Sequence, residues 1–253
     1  MRKMPSTRAL FGYDIIGASS HDDDQLEPLR AAAHDLVDAT LRDEGVDLEA
    51  RANYAPTGDG ALAAFEEADL PLLIDAIDVL HRKLRERNRW HKPELRLRIS
   101  IHAAPVHLVE RESFQRGPID LARILDAAPL KSIATRLRDF RPDTVFGIVS
   151  DQAFRTAVRG RYTDRIYVED FASITVENKE FTDRCWICAP GVDARRISEV
   201  LDPEIPTGQA EARSERTQAP NSGTQTIGLS NATFNGNNYA PMNFGFPQGN
   251  AHA

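Results

Sequence analysis

A strict two-residue alternation beginning at Leu95 constrains the fold of this chain more than any other feature of its sequence. Apolar and polar residues take turns along it: Leu95, Leu97, Ile99 and Ile101 against Arg96, Arg98, Ser100 and His102. Successive side chains of a β-strand point to opposite faces, so this period predicts a strand over residues 95–109.

Strands and helices alternate along the first 190 residues. Apolar spacing predicts helices at 25–44, 70–89, 119–126 and 132–140. Short apolar runs predict further strands at 8–16, 47–54, 61–65, 144–149, 165–169, 173–176 and 184–188. This order, ending in a hairpin, predicts a mixed sheet with helices packed on it, in the α+β or α/β class.

The composition of the chain changes after residue 200, where Pro, Gly, Ser, Thr, Asn and Gln replace the long apolar residues. We predict a globular domain over 1–195, a linker over 196–222 and a low-complexity tail over 223–253. Within the tail, residues 225–250 interleave Asn with aromatic and aliphatic residues, a pattern prone to β-type assembly. An inert disordered tail is the alternative.

Charge and hydropathy limit the classes of function. The net charge of −7 argues against non-specific binding of nucleic acid. No run approaches the roughly 20 apolar residues that a membrane-spanning helix needs. The basic start, residues 1–10, lacks the apolar segment of a secretion signal. We therefore expect a cytoplasmic protein with no membrane or nucleic-acid partner.

The chain has two cysteines, Cys185 and Cys188, in a C-x-x-C arrangement. This spacing occurs in redox motifs and in half zinc sites. A redox thiol needs a helix N-terminus, and zinc needs more Cys or His ligands. The surrounding apolar run instead favours a buried strand.

Two aspartates stand at the exits of predicted strands. Asp14 follows an apolar run, and Asp59 lies between Gly58 and Gly60 in a hairpin turn. If the first strand pairs beside that hairpin, the two carboxylates converge, and a cation must offset their repulsion. Hard Mg²⁺ or Mn²⁺ prefers such oxygen ligands, so we predict a two-metal phosphate site.

With these motifs in view, the chain resembles the class III adenylate/guanylate cyclase family over residues 8–190. Segment 11–19 is similar to F-x-x-D-I-x-G-[FS]-[ST], 98–106 to R-I-G-I-H-x-G-x-V, and 117–125 to G-x-x-V-N-x-A-x-R-L. The resemblance implies a ferredoxin-like α+β sandwich and a head-to-tail homodimer with a shared active site. It also implies two metal ions, held by Asp14, the carbonyl of Ile15 and Asp59.

The resemblance further implies that Phe11, Tyr54, Asp120 and Lys179 contact the substrate, with Lys131 as a second candidate for the triphosphate. Asp120 occupies a position where the family has Asn. The transition-state Arg normally follows that Asn by four residues, whereas Arg123 follows by three and is the expected catalytic arginine. A solvated helix Arg is the alternative.

Adenine-selective family members carry Lys where this chain has Ala55, and the neighbouring Tyr54 ring is expected to narrow the base pocket. These departures resemble the pyrimidine cyclases of the Pycsar anti-phage system. That resemblance implies a uridylate or cytidylate cyclase, with UTP favoured, whose product activates a separate effector. A cyclase making cyclic AMP or cyclic GMP, and an inactive nucleotide-binding module that assembles through its tail, remain alternatives.

Overall fold

The computed structural model describes residues 5–107, 116–137 and 145–201. Their core is a seven-stranded sheet in the order β2-β3-β1-β4-β5-β7-β6. The strands are β1 Ser6–Ile15, β2 Ala52–Pro56, β3 Gly60–Glu66, β4 Leu97–Val106, β5 Phe146–Ser150, β6 Ala172–Asn178 and β7 Phe181–Cys188. Strands β4 and β5 pair in parallel and the other neighbours are antiparallel. The predicted α+β fold with a mixed sheet is confirmed.

Helices cover both faces of this sheet. Their bounds are α1 Asp23–Asp43, α2 Leu70–Trp90, α3 Arg116–Leu125, α4 Ala128–Arg136, α5 Asp151–Ala153 and α6 Ala194–Leu201, and α5 continues as a wider turn over Phe154–Val158. Helices α1 and α2 pack on one face, called here the α1 face. Helices α3, α4 and α6 pack on the other, called the α3 face.

Strand β1 lies inside the sheet, between β3 and β4, and its alternate side chains pack on opposite faces. Ala9, Phe11, Tyr13 and Ile15 enter the core beneath α1 and α2. Leu10 enters the core beneath α3, and Asp14 follows on that same face at the strand's end. The register of β1 therefore decides which of its side chains can share a site.

Several predicted boundaries shift in the structure. The alternating strand begins at Leu97, two residues later than predicted. Leu95 lies in the preceding loop, where its backbone N–H and carbonyl are hydrogen-bonded to the side chain of Asn88. Residues 165–169, predicted as a strand, instead form a loop and a short 3₁₀ turn. There the buried Asp75 carboxylate accepts backbone N–H bonds from Asp164, Arg165 and Ile166, at 2.7, 2.9 and 3.2 Å.

The predicted linker begins too early. Residues 196–201 belong to α6, which packs on the α3 face through the fully buried Ile197. The rest of the linker and the tail lie outside the described residues. Along the described parts of the chain, no helix has the length and apolar character that crossing a membrane requires.

Candidate active site

The two predicted metal-binding aspartates lie side by side at one edge of the sheet. In the antiparallel pairing of β1 with β3, Asp14 stands opposite Gly60, the residue after Asp59. The Ile15 N–H also donates to the Asp59 carbonyl at 3.0 Å. The hairpin turn thus closes directly onto the end of β1 and brings both carboxyl-bearing residues to one place.

Gly60 permits this close approach. A Cβ added there would lie 1.8 Å from the carbonyl oxygen of Tyr13 and 2.8 Å from the Cα of Asp14. Backbone atoms cannot move aside as the end of a flexible side chain can. The juxtaposition of Asp14 and Asp59 therefore requires a residue without a side chain at position 60.

Arg98 also belongs to this site, although no motif in the sequence predicts a role for it there. It stands directly opposite Asp14 in the pairing of β1 with β4. Its Nε donates to Oδ1 of Asp14 at 2.8 Å and its Nη2 to Oδ2 at 2.5 Å, and each side chain is only 13% exposed. The predicted alternation of β4 placed Arg98 on a strand face, but nothing in the sequence named its partner.

The electrostatics of the site follow from this burial. Burial raises the pKa of Asp14 to about 6, against the opposing effect of the Arg98 charge and hydrogen bonds. Asp59 and Asp126 raise the same pKa further, so Asp126, just after α3, also lies within electrostatic range. Lys131 on α4 forms an ion pair with Asp126. Three carboxylates and two cations therefore meet at this edge.

The residues present fit hard divalent ions. Asp14 and Asp59 offer carboxylate oxygens and the adjoining backbone offers carbonyls, the donors that Mg²⁺ and Mn²⁺ prefer. Within residues 5–107, 116–137 and 145–201, no group of three or more His, Cys, Asp or Glu could hold a metal alone. The remaining ligands would have to be water and phosphate oxygens, as is usual for a nucleotide-bound Mg²⁺.

Arg123, the expected catalytic arginine, contacts residues other than the two aspartates of this site. Arg123 contacts Asp120 at 3.3 Å and forms an ion pair with Glu180, in the turn between β6 and β7. The Asn178 side chain also donates to the Arg123 carbonyl at 3.0 Å. None of these contacts reaches Asp14 or Asp59. The position four residues after Asp120 is Ile124, which is fully buried in the core beneath α3.

Two predicted substrate contacts lie on the face of the sheet opposite Asp14. Phe11 is 2% exposed in the core beneath α1 and α2, whereas Asp14 is on the α3 face. Tyr54 is also on the α1 face: its ring lies 4.3 Å under the Arg51 guanidinium and edge-on to His34 of α1. Ala55, the next residue, pairs with Leu62 and so faces Asp14's side. Tyr54 therefore does not narrow a pocket on the Asp14 side of its own chain.

The two lysine candidates separate clearly. Lys179 is exposed in the β6–β7 turn with a φ of 54°, next to the Glu180 partner of Arg123. Lys131 lies at the aspartate edge through its ion pair with Asp126. Of the two lysines, Lys131 is the one linked to the Asp14 carboxylate, through Asp126.

The cysteines are structural in the described chain. Cys185 contributes to the core beneath α4 and Cys188 to the core beneath α1 and α2, on opposite faces of β7. Burial raises the pKa of Cys185 to about 12 and also raises that of Cys188. The predicted buried strand is confirmed.

Comparison with known proteins gives a likeness of fold. No protein-family model matches the sequence, and no curated protein does. Among solved structures, an adenylate/guanylate cyclase/hydrolase from Silicibacter pomeroyi is 19% identical, over 73% of this chain and 97% of its own, with a TM-score of 0.52. The guanylyl cyclase Cya2 is 15% identical over 74% and 93%, with a TM-score of 0.50. A bacterial light-regulated adenylyl cyclase is 10% identical over 81% and 100%, with a TM-score of 0.52. This chain therefore has the fold of adenylate and guanylate cyclase domains.

Proposed function

We propose that this chain is a nucleotidyl cyclase, which converts a nucleoside triphosphate into a 3′,5′-cyclic monophosphate and pyrophosphate. The observation that carries the proposal is the meeting of Asp14 and Asp59 at one sheet edge, where β1 stands opposite Gly60. Two carboxylates held this close repel each other, and the Arg98 guanidinium, which is paired with Asp14, offsets only one of the two charges. A cation-dependent reaction explains why a fold would keep them.

The chain's own groups have separate parts in this chemistry. Asp14, Asp59 and the Ile15 carbonyl would hold two Mg²⁺ or Mn²⁺ ions. When bound, such ions acidify the attacking ribose 3′-hydroxyl and offset the charge that develops on the departing pyrophosphate. The largely buried Arg98 keeps a positive charge at the same place, and the open space beside Gly58 leaves room for phosphates against the backbone.

The site is completed by a second copy of the chain in this proposal. Arg123 contacts both Asp120 and Glu180, and neither contact involves Asp14. A head-to-tail homodimer would bring the Arg123 of one chain to the Asp14 of the other, with Lys179 beside it. Tyr54 could likewise act only across such an interface. Light scattering of the purified protein tests the dimer, and a monomer that is fully active would contradict it.

We further propose a pyrimidine substrate, UTP in preference to CTP. Ala55 supports this choice because a methyl group cannot donate a hydrogen bond to a purine ring, as the family's Lys does. Tyr54 gives no support within one chain, so the proposal rests on position 55 and on the resemblance to the Pycsar cyclases. Cyclic UMP would then act as a messenger for an effector in anti-phage defence. Cyclic AMP or cyclic GMP synthesis is the second candidate.

Purified protein incubated with each of the four nucleoside triphosphates and Mn²⁺ tests the activity and the base together. We expect one dominant cyclic pyrimidine product, resolved by chromatography, and its loss in Asp59→Ala. Asp35→Ala is the matched control, because Asp35 is a highly exposed carboxylate on α1. A cyclic purine as the main product would overturn the base assignment. Bound nucleotide without any product would favour the inactive assembly module.

A further inference from the structure

Arg98 occupies both oxygens of the Asp14 carboxylate. The two residues pair directly across β1 and β4, and the guanidinium donates to Oδ1 at 2.8 Å and to Oδ2 at 2.5 Å. This is the planar, bidentate arrangement that makes Arg–carboxylate pairs strong. It takes up the donor atoms that a divalent cation at this edge would need.

The surroundings leave the pair little freedom to loosen. Both side chains are 13% exposed, so water compensates only poorly for separating them. The nearby Asp126 is already paired with Lys131, which lowers its value as a replacement partner for Arg98. A cation binding at Asp14 would therefore leave a largely buried guanidinium without its anion.

We propose that Arg98 is a positioning residue that competes with the divalent ion for Asp14 and gives way when an anionic phosphate takes over its guanidinium. The inference rests on the proposed function for its ligands. Metal and nucleotide would then bind with positive coupling. Phosphate on Arg98 frees the Asp14 oxygens for the metal, and metal on Asp14 frees the Arg98 guanidinium for phosphate. By linkage, the factor by which phosphate tightens metal binding equals the factor by which metal tightens phosphate binding.

The sheet offers a matched control for this role. Arg96 is two residues earlier on the same chain segment, and its Nη2 donates to the Ala134 carbonyl at 2.7 Å. Arg96 and Arg98 thus carry the same charge near the same edge, and the bidentate pair with Asp14 is made by Arg98. An effect of net charge alone would appear equally in variants of both.

The experiment measures binding of Mn²⁺ alone to the full chain, by the loss of the free-ion electron paramagnetic resonance signal. We expect Arg98→Gln to bind Mn²⁺ on the order of 10-fold more tightly than the wild type, within the 5–150-fold range usual for coupled sites. Arg96→Gln should bind as the wild type does. The gain should vanish in Asp14→Asn/Arg98→Gln, which places the competition at Asp14.

A second arm tests the phosphate step with sulfate, an oxyanion that holds Mn²⁺ weakly, against chloride at equal ionic strength. Sulfate should tighten Mn²⁺ binding in the wild type and not in Arg98→Gln. Arg98→Lys keeps the positive charge but cannot make the bidentate contact, so its Mn²⁺ affinity should lie between those of the wild type and Arg98→Gln. It serves as the test variant if Arg98→Gln proves poorly folded.

Equal or weaker Mn²⁺ binding by Arg98→Gln would overturn the competition, and a wild type indifferent to sulfate would overturn the coupling. Neither result depends on turnover. A chain that passes these tests yet makes no cyclic product would refute the proposed function and leave this inference standing. A chain that makes cyclic product but shows no effect of Arg98 variants on Mn²⁺ binding would support the proposed function and refute this inference.

Discussion

Replacing Gly60 by Ala should separate the two aspartates without touching either carboxylate. The added Cβ would lie 1.8 Å from the Tyr13 carbonyl oxygen and 2.7 Å from its carbon. Non-bonded atoms settle at roughly 3.5 Å, so β1 and β3 must part by about 1 Å or more at this point. The displaced segment includes Asp59, whose carbonyl accepts the Ile15 N–H.

Two magnitudes follow from this displacement. Overpacking of this kind costs about 1–3 kcal/mol of unfolding free energy, and backbone contact places Gly60→Ala at the upper end. A misplacement of about 1 Å in a catalytic site can cost on the order of 100-fold in rate. We therefore expect a folded but less stable protein with a far larger loss of kcat/KM and a weakened affinity for Mn²⁺.

Gly12→Ala separates these effects. Its Cβ would meet the ends of two side chains, Leu62 Cδ2 at 2.7 Å and Ser100 Oγ at 2.9 Å. Those atoms can move, so Gly12→Ala should lower stability while leaving Mn²⁺ affinity near the wild-type value. Urea unfolding and Mn²⁺ titration of both variants give the comparison. A Gly60→Ala protein with wild-type metal affinity and turnover would refute the reasoning.

Three further outcomes are expected. With metal chelated, the difference in unfolding free energy between Asp14→Asn and the wild type should change by about 2 kcal/mol in favour of Asp14→Asn as the pH rises from 4 to 7. Burial raises the pKa of Asp14 to about 6, so its protonated form is favoured by folding, and that stabilisation, full at low pH, is lost as pH rises through this range; urea titrations at both pH values measure it. Cys185 and Cys188 should resist Ellman's reagent in the native chain and react in urea, since both thiols are buried with raised pKa values, and fast native labelling would contradict this. If residues 225–250 drive β-type assembly, the full chain should form thioflavin-binding assemblies and a chain ending at residue 201 should not, with equal turnover in both; assembly of the shortened chain would exclude the tail as its cause.

Local pattern was sufficient for most strands of the sheet and for the residues at its acidic edge, although it also predicted a strand at 165–169 where the structure has a loop and a 3₁₀ turn. The two-residue period of β4 and the apolar run before Asp14 both describe strands that the structure contains. The Pro- and Gly-containing turn at Asp59 predicted the hairpin, and its register with β1 brought the aspartates together. The strands and the turn depend on neighbours in sequence, which periodicity reports directly, whereas the pairing of β1 with β3 entered the prediction as a condition.

Features that depend on distant partners could not be predicted in the same way. Arg98 meets Asp14 across 84 residues, and Arg123 meets Glu180 across 57. Tyr54 was expected beside the base pocket because it adjoins Ala55, but adjacent residues of a strand point to opposite faces. Asn53, with a φ of 50°, also interrupts the register of β2, so simple counting along that strand fails.

The cross-strand pairing of β1 with β4 has a consequence for synthesis of the chain. A ribosome makes the polypeptide from its N-terminus at roughly 5–20 residues per second, so Asp14 and Asp59 emerge several seconds before Arg98. A nascent chain can pair β1 with β3 in that interval, and its aspartates then face cellular Mg²⁺ with no guanidinium beside them. The arrival of β4 at the other side of β1 ends that exposure and sets the ion-pair chemistry of the finished domain.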